Sequence, residues 1–297
     1  MANDVLPQLQ PFREILKPQE ALAPYTLLKI GGPAEALVSP RSIAELAAVV
    51  RACVAGQIPL RVLGSGCNIL VHDEGVKGVV LRLNAPAFTG IAVQGNRVRA
   101  GCGAMMASLI STTALHNLAG LETLVGTSDS VGGGLRHITG DGAAEFGQYL
   151  RLVEVIDAAG TPQVRERDDL RQVYRTTSMD DPVLVLAEFE LDADSADAIV
   201  KRVRKAWIQR KAHQPFSFQA SAHIFRNPRG LSAAALIEQA GLVGTRVGGA
   251  QVSDRNASYV IADPGTTAHD VLRLIDQVRG RVQERFHIEL ELDISVW

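Results

Sequence analysis

The stretch Leu63-Gly64-Ser65-Gly66-Cys67-Asn68-Ile69-Leu70-Val71 limits what this chain can fold into more than any other. Two short apolar runs, Pro59 to Leu63 and Ile69 to Val71, flank small residues and one amide side chain. Strand, glycine turn, strand is an arrangement that brings bare main-chain N–H groups against a phosphate. A second segment of this kind, Gly126-Thr127-Ser128-Asp129-Ser130-Val131-Gly132-Gly133-Gly134, lies roughly sixty residues further on. Two phosphate-sized loops in the N-terminal half point to a dinucleotide laid across two lobes. Neither has the GxGxxG spacing or the P-loop pattern, so the loops alone name no cofactor.

The chain's bulk properties narrow the class. With 297 residues it has room for two or three domains and a sizeable core. Hydrophobic residues make up 46% and charged residues 21%, as in ordinary globular proteins. A net charge of −2 gives no general attraction to nucleic acid or to an anionic membrane. No apolar run reaches the length of a membrane span. The opening Met1-Ala2-Asn3-Asp4-Val5 lacks the charged and apolar regions of an export signal. The three cysteines, Cys53, Cys67 and Cys102, form no CxxC pair and read as reduced thiols. A cytoplasmic protein is the expectation.

Periodicity organises the chain into parts. Residues 1–23, with Pro7, Pro11 and Pro18, read as an approach arm. From Tyr25 to Leu83 the pattern is strand, helix, strand, glycine turn, strand. Ser42 is an N-cap with Glu45 three residues on, and Ile43 to Val54 has helical apolar spacing. Val76 to Leu83 is a buried strand. Between 85 and 195 short β patterns recur at Ile91–Val93, Arg97–Ala100, Leu152–Ala158 and Val183–Leu191. A helix from Ala104 to His116, closed by Asn117, sits among them, and Asp157 to Gly160 is a turn. A basic helix, Ala196 to Gln209, opens the last part, and its Lys201, Arg202, Arg204 and Lys205 read as a solvated face. Leu231–Ala240 and Thr267–Phe286 are further helices, and a strand from Ile288 to Ile294 closes the chain.

In this order the residues carry a resemblance. Tyr25 to Ala34, Leu63 to Val71, Gly120-Leu121-Glu122 followed by Val131-Gly132-Gly133, and Tyr174-Arg175 form the first half of a series. Phe225-Arg226-Asn227-Pro228, Leu236 to Gly244, Gly248 to Ser253 and Leu290-Glu291 form the second. The series resembles UDP-N-acetylenolpyruvoylglucosamine reductase, in the short type that lacks a lid insertion. The resemblance implies an α+β fold. A two-lobed FAD-binding module of the vanillyl-alcohol-oxidase kind, residues 1–84 and 85–195, would precede a C-terminal α/β substrate domain, 196–287, with 288–297 returning to the first lobe. It also implies the reaction: FAD reduced by NADPH passes hydride to the enolpyruvyl double bond of a UDP-sugar, making UDP-N-acetylmuramate for peptidoglycan.

Site residues follow by position. The cofactor set is Gly31, Gly32, Gly64, Ser65, Gly66, Cys67, Asn68, Ile69, Gly126, Ser130, Gly132 and Gly133. The catalytic set is Arg175, His223 and Asp293. The substrate set is Tyr174, Arg210, His213, Asn227 and Asn256. Arg175 matches the cation that steadies an enolate next to a carboxylate. Several positions depart from the family pattern. His223 replaces the Ser or Cys proton donor, and imidazole is an effective acid near neutrality because its ordinary pKa is about 6.5. Asp293 replaces a Glu, shortening the reach by one methylene. His213 stands for a lysine ahead of Gln214-Pro215. Asp129 occupies a glycine position, where a carboxylate repels a pyrophosphate. His137-Ile138-Thr139-Gly140 replaces Met-Asn-Ala-Gly, Thr177 replaces a Ser, and Asn256 and Ala262 replace a His and an Asn.

Other chemistries lack their patterns. The histidines show no HExxH or comparable ligand spacing, so no metal is expected. GxSxG does not occur. Two readings remain: a working FAD- and NADPH-dependent reductase, or a catalytically degenerate homologue that binds a nucleotide or acts as a regulatory or scaffold protein. In either, the expected ligand is a small UDP-sugar or nucleotide and the expected state a monomer.

Overall fold

A computed structural model of the chain describes residues 7–137, 147–167, 181–216 and 219–297. The chain gathers into two compact units. One takes Met1–Gln19, Glu35–Ser65 and Lys77–Gln209, and the other Glu20–Ala34, Gly66–Val76 and Arg210–Trp297.

The first unit is built on two sheets. In the first sheet the strand order is Leu16–Ala21, Pro33–Val38, Val76–Arg82, Leu60–Leu63. Leu60–Leu63 lies parallel to Val79–Arg82, which requires a crossover, and helix Ile43–Ala55 precedes it in the chain. Ser42 starts that helix by accepting from the Glu45 N–H at 3.2 Å. Leu46, Val49, Val50 and Cys53 recur at helical spacing and are buried in one core with Val79 and Leu81. The proline-rich approach arm holds a 3-10 helix, Pro7–Ile15, whose Leu9 belongs to the same core. Phe12, at φ −106° and ψ 17°, leaves helical geometry directly after Pro11, so the arm is two short turns joined at a kink.

The second sheet of this unit is antiparallel, in the order Pro162–Glu166, Leu150–Ile156, Val183–Glu190, Arg97–Gly101, Ile91–Gln94. Helix Met106–Leu115 lays Met106, Leu109 and Ile110 into its core, and Asn117 ends it in the left-handed conformation at φ 59°. Asp157 makes the expected turn, its Oδ1 accepting from the N–H groups of Ala159 and Thr161 at 2.9 Å each. One expectation changes. The second glycine-rich segment becomes helix Val131–His137 directly after Ser130. The Ser130 hydroxyl accepts from the Gly133 N–H at 3.1 Å, so the serine caps a helix whose glycines no loop signal would have assigned to one. In helix Ala196–Ala212, Lys201, Arg204 and Lys205 face solvent as expected. Arg202 instead bonds Glu122, which is buried, and Asp194, each at 2.7 Å.

The second unit carries an antiparallel sheet in the order Ala220–His223, Tyr259–Ala262, Ala250–Val252, Arg246–Val247. Helix Ala268–Phe286 covers the core with Ala268, Val271, Leu274, Ile275, Val278 and Val282. Thr267 and Asp270 form a capping box at its start. Asp73 adds a second cap from a distant segment, its two oxygens accepting from the Ala268 and His269 N–H groups at 2.9 and 3.1 Å. The closing strand is Ser295–Val296, parallel to Ile69–Leu70, instead of 288–294. The alternation of Ile288, Leu290, Leu292 and Ile294 does reflect sidedness, since Leu290 and Ile294 are buried. A ladder also needs a partner edge, and 291–293 meets one only at 224–226.

Candidate active site

In the first unit the two glycine segments meet at one serine. A β-carbon placed on Gly64 would lie 2.6 Å from Ser130 Oγ, and one on Gly133 would lie 3.2 Å from the same oxygen. Ser130 is buried, held by the Met105–Ser130 bridge. Asp129 sends its carbonyl to the Met106 N–H at 2.9 Å. Asp129 Oδ1 stands 3.6 Å from where a Gly133 β-carbon would be, which keeps a carboxylate on the rim of this segment. The Val131, Gly132 and Gly134 N–H groups donate to the carbonyls of Ala104, Cys102 and Ser130 at 2.8 Å each. Gly126 has φ +82°, a left-handed turn.

Glycines of the second unit have their own reasons. A β-carbon on Gly66, at φ +70°, would overlap the Tyr25 carbonyl oxygen, and one on Gly32 would overlap the carbonyl of Asp73. Gly31 faces Val71 at 2.8 Å on the same test. Close packing on the Tyr25 and Asp73 main chain and on the Val71 side chain therefore demands these residue types whether or not a ligand is present.

A polar cluster gathers in the second unit from segments far apart in sequence. His223 ends its strand with Nδ1 3.0 Å from Asp293 Oδ2. Arg226 Nε approaches Asp293 Oδ1 at 3.4 Å. Two main-chain bonds pin the Asp293 segment alongside: Asp293 N–H to Ile224 O at 2.7 Å and Arg226 N–H to Glu291 O at 3.0 Å. Asn68 of the first loop donates Nδ2–H to the Asp293 carbonyl at 3.1 Å and accepts from the Ser295 N–H at 3.0 Å. Tyr259 sets its ring against His223, with centroids 5.1 Å apart and planes at 65°. Burial raises the Tyr259 hydroxyl pKa, with the nearby Gln214 side chain and Arg210 partly offsetting it. Burial also works to raise the Asp293 carboxyl, but His223 and Arg226 outweigh it and hold Asp293 below the usual carboxylate value. His223 Nε2 has no hydrogen-bond partner among the described residues, and the side chain is 35% exposed. The geometry is that of an oriented imidazole: Nδ1–H is held by a carboxylate and Nε2 is left for an incoming group.

The expected substrate residues divide. Arg210 joins the cluster through Tyr259. His213 and Asn256 lie together, Asn256 Nδ2–H donating to the His213 carbonyl at 3.0 Å while Asn256 Oδ1 accepts from the Ser258 N–H. The Asn227 side-chain oxygen accepts from the Ala233 N–H at 3.0 Å, at the start of helix Ala233–Gln239, which leaves its amide nitrogen for other contacts. Ala262 is buried at the end of its strand. Tyr174, Arg175, Thr177 and the 138–140 part of the His137 motif lie outside the described residues.

Comparison with known proteins decides the family. Residues 214–297 match the model of the UDP-N-acetylenolpyruvoylglucosamine reductase C-terminal domain, and residues 34–164 match that of an FAD binding domain. UDP-N-acetylenolpyruvoylglucosamine reductase 2 of Symbiobacterium thermophilum is 36% identical over 280 residues, 94% of this chain and 91% of that protein. The chain belongs to the UDP-N-acetylenolpyruvoylglucosamine reductase family. The reductase of Moorella thermoacetica is 34% identical over 94% of this chain and 92% of its own. The crystal structure of the Thermus caldophilus reductase superposes with a TM-score of 0.80 at 33% identity, covering 93% of this chain and 97% of that one. The expected α+β class, an FAD-binding module followed by the reductase family's C-terminal domain, holds.

The loops suit the dinucleotide that an FAD-binding module implies. In the first unit the main-chain N–H groups of Gly64 and Ser130 donate to no acceptor among the described residues, although Ser130 is buried; in the second unit the same holds of Gly66, which is buried, and of Asn68. Buried N–H groups need an acceptor, and phosphate oxygens are apt ones. Sequence reasoning brought His223, Asp293, Asn68 and Arg210 forward but missed Tyr259 and Arg226. Arg226 sits inside the quoted Phe225-Arg226-Asn227-Pro228 run, three residues after His223, so a signal was there. Tyr259 gave none, because strand pairing alone places it.

Proposed function

We propose that this protein is an FAD-dependent reductase that converts UDP-N-acetylglucosamine enolpyruvate to UDP-N-acetylmuramate, a step of peptidoglycan synthesis, with NADPH as hydride donor. One observation carries the reading: the site that the family pattern reserves for its proton donor is filled by an imidazole held on a carboxylate, His223 on Asp293 at 3.0 Å. A bound FAD would supply the hydride-transfer chemistry between NADPH and the enolpyruvyl carbon. His223, when it carries a proton on both ring nitrogens, supplies the Nε2 proton to the neighbouring carbon and is left with Nδ1–H on Asp293. Asp293 keeps Nδ1–H engaged, which fixes the ring nitrogen that faces the substrate, and Arg226 shares the Asp293 charge. Arg175 and Tyr174 receive the enol acid, the guanidinium offsetting charge that builds next to the carboxylate. Arg210, His213, Asn227 and Asn256 bind the sugar nucleotide. Gly64, Gly66, Asn68 and Ser130 offer main-chain N–H groups to the FAD phosphates, with Gly31, Gly32, Gly132 and Gly133 shaping the main chain and Ser65, Cys67, Ile69 and Gly126 completing the cofactor contacts.

A second reading is a catalytically degenerate homologue that binds a nucleotide or acts as a regulatory or scaffold protein. Asp129 beside Gly133 favours its scaffold form, since a carboxylate at a phosphate loop weakens anion binding. The two readings part on one experiment. Purified protein should carry a flavin spectrum and oxidise NADPH only when the enolpyruvyl sugar nucleotide is present. Colourless protein that takes up no added FAD would remove the flavin reading altogether. Full turnover by His223→Ala would remove His223 as the acid.

A further inference from the structure

We propose that Tyr259 is a positioning residue for His223, restraining the imidazole so that Nδ1 stays on Asp293 and Nε2 stays free. The inference rests on the reading of His223 as the acid, but the observations behind it are independent of that reading. His223 and Tyr259 are direct partners across two antiparallel strands. The Ile224 N–H donates to the Ser258 carbonyl at 2.8 Å, which makes His223 and Tyr259 a non-hydrogen-bonded pair. In such pairs the side chains on one face come closest.

The contact restrains the one torsion that matters. An imidazole turns about χ2 in a broad, two-fold well, and a half-turn puts a carbon where Nδ1 belongs. Asp293 holds the ring by one hydrogen bond at 3.0 Å, and the Tyr259 ring stands edge-on at 5.1 Å. A half-turn must break the first and displace the second. Tyr259 is itself held, since its strand is paired on both sides and its side chain is engaged with Gln214. Burial keeps its hydroxyl protonated, so it acts by shape and not by charge; the charged groups around the pair are Asp293, Arg226 and Arg210. Edge contacts between aromatic rings of this kind are directional enough to choose one ring orientation.

The test compares Tyr259→Leu with Tyr259→Phe in the full-length protein. Imidazole nitrogen NMR reports the ring state of His223, and steady-state kinetics with NADPH and the enolpyruvyl sugar nucleotide report its use. In Tyr259→Leu the His223 Nδ1–H resonance should lose its single, Asp293-bonded position. Turnover should fall by about tenfold with KM within about twofold, because a misaimed acid lowers kcat more than binding. Tyr259→Phe keeps the ring edge and should match the parent in both readouts. Should leucine disturb folding, Tyr259→Val, a strand former, serves as the truncation. An unmoved His223 signature in the truncation, or a Phe variant as damaged as it, overturns the proposal. If His223→Ala retains full turnover while the truncation still scrambles the imidazole signature, the positioning role stands and the acid assignment falls.

Discussion

Replacing Gly64 with alanine tests whether the two glycine segments meet as described. The new methyl would lie 2.6 Å from Ser130 Oγ and 3.7 Å from Ser130 Cβ. The first distance is far inside contact and the second is ordinary contact, so the hydroxyl alone is the obstacle. Gly64 does not have a positive φ, so alanine brings no backbone strain there. Wedging one methyl into a packed site costs about 1–3 kcal/mol. Ser130→Ala by itself removes the cap on the Gly133 N–H, worth about 1 kcal/mol. In the double variant the clashing oxygen is gone, so its cost should be close to that of Ser130→Ala alone. The coupling between the two sites should therefore equal the cost of the clash, about 1–3 kcal/mol in the favourable direction. Urea unfolding of the three variants measures it, with an unchanged m-value as the check on two-state behaviour. Flavin retention should follow the same order: lost in Gly64→Ala and recovered in part in the double variant. Additive costs, with a coupling below about 0.5 kcal/mol, would refute the meeting of the two segments at Ser130.

Three further outcomes are expected. Asp73→Ala removes two charge-assisted bonds from the start of helix Ala268–Phe286 and should destabilise by about 2–3 kcal/mol, with Asp73→Asn in between, read by thermal unfolding. Because the folded-state pKa of Asp293 is lowered, its stabilising contribution is present above the unfolded carboxyl value of about 3.9 and disappears as pH falls through the folded value. The stability difference between the parent and Asp293→Asn should thus shrink as pH falls from about 5 to about 2, and a difference independent of pH would contradict the cause given for the shift. A maleimide should label Cys67 well before Cys53, whose thiol burial pushes up to about 11, or Cys102, which is fully enclosed and also raised. Peptide mapping after brief exposure gives the order.

The local signals in the sequence were strong where one segment carries its own cause. Ser42, Asn117, Asp157 and Thr267 each hydrogen-bond within or terminate their own element, and all four do what their residue types suggest. The second glycine segment was illegible as a helix because three glycines oppose one; Ser130 and the contacts of that unit override the propensity. The ordered motifs gave the family, and with it the positions of His223 and Asp293. Asn68 was read as a cofactor contact alone, although its side chain also fastens Asp293, more than two hundred residues away in the chain.

What the residues settle unaided is the set of short-range choices, periodicity, caps and turns, together with a series of motifs whose order names the family. Tertiary structure alone decides which atoms face each other. It gives Gly31, Gly32 and Gly66 a requirement of tight packing besides the cofactor role expected of them, and it sets Tyr259 against His223 through strand register. The reason is physical: capping and periodicity act over a few residues, whereas contact between 68, 223, 259 and 293 depends on how strands pair across the whole unit.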